Sequence, residues 1–379
     1  MNKNAEDLIY LLSCAVNGIT PDAVRVQAMN PEQLFRLAKA HSLCGAAYIA
    51  LRHAGTDDRR FSQAYFMAVR KLILLDAARR EIFAEFERRG IWYMPLKGVI
   101  LRALYPENGM REMADNDVLF DAGKQAEVRE IMRALGYTDE SSGKSNHDVY
   151  MKPPVLNFEM HKSLFKQSSA FYSYYQDPER LMRPDGDSRF GRCFSDEDFY
   201  VYMLAHEYKH FSSGGTGLRS LLDCYVFCKS KGDALAWDYI GAQCRQLGIA
   251  DFEQEQRTLA EKVFSAEKHP ELTAREQELL SYFLTSGTYG TLTRAGENKV
   301  ERGFAESGSR SRAGYILRRL FPDFQHMQTW YPFFAKHRLL LPAGYLWRLI
   351  RAPFAKKNTI KSEMKALRKH DHTKVSDRG

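Results

Sequence analysis

The hydrophobic period changes at Gly90, and no other feature of the chain constrains its fold as tightly. Before that glycine, apolar residues recur every three or four positions. Leu8, Leu11, Leu12 and Val16 form one such run, and Asn30-Pro31 caps and opens another. A third runs from Phe61 to Arg89 through Phe66, Val69, Leu72, Ile73, Ala77, Ile82, Phe83 and Phe86. The spacing predicts helices, and Gly90 ends the last as a C′ glycine does. After it, Ile91–Leu96 is short, apolar and β-prone. Val99–Tyr105 reads as a short helix, Asp115–Phe120 as a strand, and Ala122–Leu135 as a helix stopped by Gly136. Asp148–Lys152 and Val155–His161 are two further strands around Pro153-Pro154. Helical patterns resume at Ser195, where a capping residue precedes three acids.

The expected fold is therefore α+β. A small core of mixed sheet and helices, residues 86–165, is embedded between an N-terminal helical region, 1–85, and a helical domain, 166–300. A basic, aromatic region, 301–379, follows, with Glu297–Arg312 as a polar linker and a disordered tail at the end.

Charge is segregated along the chain. From Arg310 to Gly379 there are sixteen Lys and Arg against four Asp and Glu, whereas the formal net charge of the whole chain is only +8. The basic balance thus describes one segment and not a nucleic-acid-binding body. That segment places Trp347, Leu349, Ile350 and Phe354 beside Arg348, Arg351, Lys356 and Lys357. Three readings stay open for it: a packed helical subdomain, contact with a membrane surface, or contact with nucleic acid through stacking and phosphates. No run of residues has the length and apolarity of a membrane span, and the first residues do not form a signal peptide. The six Cys have no framework spacing and read as free thiols, so a cytoplasmic location is expected.

The strongest chemical signal is Asp115-Asn116-Asp117, followed by Val118-Leu119-Phe120. On a strand, alternate residues share a face, so the two Asp point together and Asn116 points away. Two close carboxylates repel unless a cation lies between them. Oxygen ligands of this kind suit Mg²⁺ or Mn²⁺, with water and substrate phosphates completing the shell. Glu159, in Asn157-Phe158-Glu159-Met160-His161, is the candidate third acid on a neighbouring strand. Such a set could serve an in-line phosphoryl displacement. A bare pair of acids also occurs at solvated strand ends.

The surroundings of that pair carry a resemblance. Pro95-Leu96-Lys97-Gly98, Leu104-Tyr105-Pro106, Gly109-Met110-Arg111 and Asp115-Asn116-Asp117-Val118-Leu119 resemble a poorly characterised bacterial nucleotidyltransferase family, a remote branch of the DNA polymerase β superfamily. Leu135-Gly136-Tyr137, Glu159-Met160-His161, His206 with His210, Gly217-Leu218-Arg219, Leu222-Asp223, Leu320-Phe321-Pro322 and Tyr331-Pro332 support it. The resemblance implies a metal-dependent enzyme that moves an NMP group from an NTP to an acceptor hydroxyl. Asp115 and Asp117 match the family's metal-binding pair, and Glu159 the third carboxylate, which could also take the acceptor proton. Lys97-Gly98 stands where other superfamily members hold phosphate on a Gly-Ser or Gly-Gly turn, and Arg111 is a further candidate for the nucleotide. His161, His206, His210 and Arg219 are supporting candidates. The acceptor, whether small molecule, sugar, protein or RNA, stays open.

Several motifs compete with this reading. His206-Glu207-Tyr208-Lys209-His210 is a literal H-E-x-x-H, which in a zinc hydrolase supplies two ligands and a base. It lacks a recognisable third ligand, and both His fall on a stripe with Phe199 and Met203, which predicts inward packing. Cys224 and Cys228 could join the two His around zinc or simply be buried. Gly214-Gly215-Thr216-Gly217 could cradle phosphate or turn the chain, and Arg219 could pair with Asp223 four residues on. A catalytically degenerate nucleotide-binding module is the remaining alternative.

Overall fold

The computed structural model describes residues 2–140, 145–186, 188–267, 269–288, 290–307, 312–322, 324, 327, 331–355, 358 and 360–367. Helices α1 (Lys3–Asn17), α2 (Ala23–Gln27), α3 (Pro31–Ala40), α4 (Cys44–His53) and α5 (Arg59–Arg89) come first. The Asn30 side chain accepts from the Gln33 N–H at the start of α3, with Pro31 at the first helical position. Helix α5 ends at Gly90, whose φ of 68° is left-handed. There the period changes, as expected. Strand β1 (Tyr93–Pro95) leads to the one-turn α6 (Gly98–Arg102), then β2 (Asn116–Phe120), α7 (Gln125–Ala134), β3 (Thr138–Asp139), β4 (His147–Lys152) and β5 (Leu156–His161). The sheet order is β1-β2-β5-β4-β3, with β2 and β5 parallel and the other pairs antiparallel.

One face of this sheet is the core. Val118, Phe120, Phe158, Met160 and Tyr150 bury against Ala78, Ile82 and Phe86 of α5 and Val128, Ile131 and Met132 of α7. Strand alternation then obliges the neighbouring side chains, Asp117, Leu119, Glu159 and His161, to leave by the other face. Asn116 shares the core side and is fully buried. Its amide donates to Leu75 O at 3.1 Å and accepts from Arg79 at 3.1 Å. A polar residue is tolerated there because both ends of its amide are satisfied.

Helices α8 (Tyr172–Tyr175), α9 (Asp196–Phe211), α10 (Leu218–Lys231), α11 (Trp237–Leu247), α12 (Ala250–Phe264), α13 (Ala274–Ser286), α14 (Leu292–Ser307) and α15 (Arg312–Leu320) follow. The fold is α+β. The chain divides into two units, Met1–Tyr208 with Leu218–Leu284, and Lys209–Gly217 with Thr285–Gly379. The expected blocks 1–85, 86–165 and most of 166–300 fall within the first of these units, and 301–379 within the second. All six Cys are free thiols. No helix among the described residues is long and apolar enough to cross a membrane.

The second unit corrects two expectations. Glu297–Ser307, expected as linker, lies in α14, because Val300 and Phe304 share a helical face and bury against Tyr315. Positions 308–311 lie outside the described residues. The expected disordered tail also gives way in part. Ala366 and Leu367 are buried in the same cluster, and Glu363 accepts from Arg319 at two distances of 2.9 Å and from Lys299 at 2.7 Å. Residues 368–379 lie outside the described residues. Replacing Leu367, only 2% exposed, by Ala should cost the second unit about 2 kcal/mol or more in urea unfolding, whereas Leu346→Ala, at a 60% exposed position, should stay within about 0.5 kcal/mol.

Candidate active site

The polar face of the sheet is built by register. On β2 and β5, Asp117 lies directly opposite Glu159 and Leu119 opposite His161. On β4 and β5, His147 lies opposite His161 and Val149 opposite Glu159. Neighbouring partners in a sheet project to the same side, so two acids and two imidazoles meet there. Asp115 lies one residue before β2, because the strand begins at Asn116 and not at Asp115 as expected. It is nevertheless within electrostatic reach of both Asp117 and Glu159.

Asp117 is the centre of the cluster. One of its oxygens, Oδ1, accepts from Lys97 Nζ at 3.1 Å and from His161 Nε2 at 2.8 Å. His161 Nε2 is also 3.6 Å from Glu159 Oε2, and His147 Nε2 is 3.7 Å from that same oxygen. Tyr202, from α9, is fully buried, and among the described residues its hydroxyl has no hydrogen-bond partner although it interacts with Lys97, Asp117 and Glu159. Lys97 is held at a positive φ of 46° in the turn before α6, a conformation that costs a non-glycine residue about 1–3 kcal/mol. Its ion pair with Asp117 and the backbone bond from Leu96 N to Asp117 O fix that turn against β2. At Gly98 an added Cβ would come within 2.9 Å of Arg111 Nη1, so the guanidinium packs directly on the glycine.

The charges sort themselves accordingly. For Asp117, burial alone would favour the neutral acid, but Lys97 and His161 outweigh it and hold the carboxyl far below its ordinary range. For Lys97 burial likewise works against the charge, and Asp117 and Glu159 overcome it, so the ammonium stays protonated. His161 holds Glu159 ionised by hydrogen bonding. Burial pushes His147 below the ordinary imidazole value. Asp115 goes the other way: burial, then the charges of Asp117 and Glu159, raise it to about 6. The cluster is short of positive charge at Asp115.

The remaining expected residues are placed differently. Arg111 is 8% exposed and forms a two-point ion pair with Asp223, Nε to Oδ1 at 2.7 Å and Nη2 to Oδ2 at 2.9 Å, while Tyr105 donates to the same Oδ1 at 2.7 Å. Arg111, a candidate for the nucleotide, is thus held in a buried two-point pair with Asp223. Arg219 remains near Asp115, whose charge it favours. In the H-E-x-x-H, the expected inward histidines are not found. His206 is half-buried and His210 exposed, and Glu207 is the residue turned inward, at 6% exposure beside Gln256. Burial raises its carboxyl to about 8. Helix packing, not the motif, decides which side of α9 faces the core. Cys224 and Cys228 lie against the Tyr200 hydroxyl at 3.9 and 3.8 Å. Among the described residues the one group of three His, Cys, Asp or Glu side chains whose ligand atoms already lie within 4.8 Å of one another is His147, Glu159 and His161. The Gly214–Gly217 segment forms a turn bonded to Thr291 through Gly214 O.

A family model described as Uncharacterised nucleotidyltransferase matches residues 27–265, well over half of the chain. The chain belongs to this family. No curated protein and no solved structure matches it. The matched span contains Lys97, Asp115, Asp117, Glu159 and His161. Two residues of the cluster escaped the sequence reading, His147 and Tyr202. A signal for His147 existed: a hairpin centred on Pro154 pairs it with His161. Tyr202 had none, since only packing of α9 brings it to the sheet.

Two outcomes follow from the geometry. Asp223→Ala leaves Arg111 buried without its counter-ion and should cost about 3–5 kcal/mol by chemical unfolding, part of which Arg111→Ala in the same chain should restore. The second concerns pH. Asp115 binds its proton more tightly folded, near pH 6, than unfolded, near 3.8, so metal-free protein loses stability as pH rises between those values. Asp115→Asn does not titrate. Its melting temperature in chelator should match the parent at pH 4 and exceed it at pH 7 to 8.

Proposed function

We propose that the protein transfers an NMP group from an NTP to an acceptor hydroxyl and releases pyrophosphate, with Mg²⁺ or Mn²⁺ held by Asp115, Asp117 and Glu159. The observation that carries the reading is the in-register pairing of Asp117 with Glu159 on parallel strands, with Asp115 two residues before it. The donor set fits a hard divalent ion, because it offers three carboxylates, and burial with the charges of Asp117 and Glu159, which raise Asp115 to about 6, leaves a place that an added cation would neutralise. Bound there, such an ion would polarise the transferred phosphate and neutralise charge on the leaving oxygen.

The chain's own groups then divide the work. The acceptor oxygen bonds to the α-phosphorus as the bond to the bridging oxygen of pyrophosphate breaks, and the acceptor proton must leave. Glu159 is ionised and a quarter exposed at its side chain, which makes it the base in reach of an incoming hydroxyl. His161 orients it and keeps it ionised. Lys97 stays cationic in a strained turn where related enzymes hold phosphate, and its flexible stem lets the ammonium move from Asp117 to a phosphate oxygen. The H-E-x-x-H zinc hydrolase loses ground, since its Glu207 faces Gln256 inside the helices and offers no base to a substrate.

The test uses Asp115→Asn, which preserves size and, unlike a change at Asp117, leaves the Lys97 and His161 bonds in place. In parent protein NTP with Mg²⁺ should raise the melting temperature; in the variant the rise should vanish, since a ligand stabilises only the state it binds. Transfer of label from NTP to a product in cell extract should fall at least about a hundredfold. A variant that responds to Mg²⁺ and NTP as the parent does would end this assignment, and NTP binding without any labelled product would replace transfer by binding alone.

A further inference from the structure

The cluster has a second half built on two imidazoles and joined to the acids through Glu159. His147 Nε2, Glu159 Oε2 and His161 Nε2 converge on the open side of the β4–β5 hairpin, with N···O separations of 3.7 and 3.6 Å. Four-coordinate zinc with bonds of about 2.1 Å spaces its donors by about 3.4 Å, so these side chains need shift only slightly to share one ion. We propose that His147, Glu159 and His161 form a binding site for a first-row transition dication of the Zn²⁺ class, sharing Glu159 with the acids and set apart from them by its imidazole donors.

Three features support it. Imidazole nitrogens select borderline ions over Mg²⁺, whereas Asp115 and Asp117 offer only oxygens. Both histidines sit on paired strands and face each other across the register, their rings 4.9 Å apart, so the site is held by the sheet and not by a loop. His161 is 5% exposed at its side chain, whereas His147 and Glu159 are 25% and 26% exposed, which leaves one side of the site open for a water or a substrate oxygen. His161 Nε2 now bonds to Asp117 Oδ1 at 2.8 Å, and an ion in the site would take that place. Asp117 Oδ1 is then the nearest further donor. The site shares Glu159 and His161 with the function proposed above, but its occupancy by an ion needs no nucleotide and no transfer chemistry.

Full-length protein, stripped by chelator and dialysed against Zn²⁺ or Co²⁺, gives the test. One equivalent per chain should be retained, and Co²⁺ should show the intense visible absorption of a four-coordinate site with nitrogen donors. His147→Gln and Glu159→Gln, each checked for a parent-like melting transition, should weaken binding at least about tenfold. Asp115→Asn should keep the Co²⁺ spectrum while losing stabilisation by Mg²⁺ and NTP. A weak six-coordinate Co²⁺ spectrum in the parent overturns the proposal, as does a His147→Gln protein that binds like the parent. Loss of Co²⁺ in Asp115→Asn but not in His147→Gln places the ion on the acids and also overturns it. Failure of the transfer reading shows separately, as NTP and Mg²⁺ stabilisation unchanged in Asp115→Asn with the Co²⁺ result intact.

Discussion

A single buried carboxylate, Asp117, joins three pieces of chain that the rest of the site depends on. Lys97 arrives from the turn after β1, His161 from the end of β5, and both bond to one oxygen of a residue on β2. A buried carboxylate without partners would be expensive, and pairing is what makes the position tolerable. The same pairing has a geometric consequence. It pulls Lys97 into a left-handed backbone conformation that glycine would adopt more easily, and so fixes the turn and the start of α6 beside Gly98. The parallel register of β2 and β5 does the rest by setting Glu159 beside Asp117.

A second buried charge network supports the first from below the turn. Asp223 of α10 receives Arg111 at two points and Tyr105 at a third. Arg111 packs on Gly98, so a residue of α10 helps set the position of the turn that carries Lys97. The core face of the sheet is apolar apart from Asn116, whose amide is satisfied by α5, and Asp148, buried opposite Met160, which accepts from Gln125 and Lys162. The charge cluster on one face and the packing on the other follow from one strand period.

This division explains which features were legible in the sequence. The period change at Gly90, the strands near 91–96, 115–120 and 148–161, and the shared direction of Asp117 and Glu159 are local or follow from alternation. Arg111 could not be read, because its partner lies far along the chain and nothing near Gly109-Met110-Arg111 announces a buried ion pair. The H-E-x-x-H misled for a related reason: a helix of mixed polarity such as α9 has no single apolar stripe, so packing against other helices chose Glu207 for the interior and left His210 outside. The segment near 360–367 looked like a solvated tail because Lys361, Glu363 and Lys365 dominate its composition. Glu363 is in fact the buried anion of the second unit, paired with Arg319 and Lys299, and composition cannot show that.

Asp115 is where these constraints leave something unfinished. Asp117 is neutralised by Lys97 and His161, and Glu159 is held by His161 with His147 nearby. Asp115 has the more distant Lys97 and Arg219 to set against burial and two neighbouring anions, and its carboxyl is raised to about 6 as a result. A fold selected for stability alone would gain by an uncharged residue at that position. On the reading proposed above, an added cation on this face of the sheet accounts for an acid at that position, one residue ahead of the strand that carries Asp117, and would free Lys97 from its pair with Asp117 to meet phosphate.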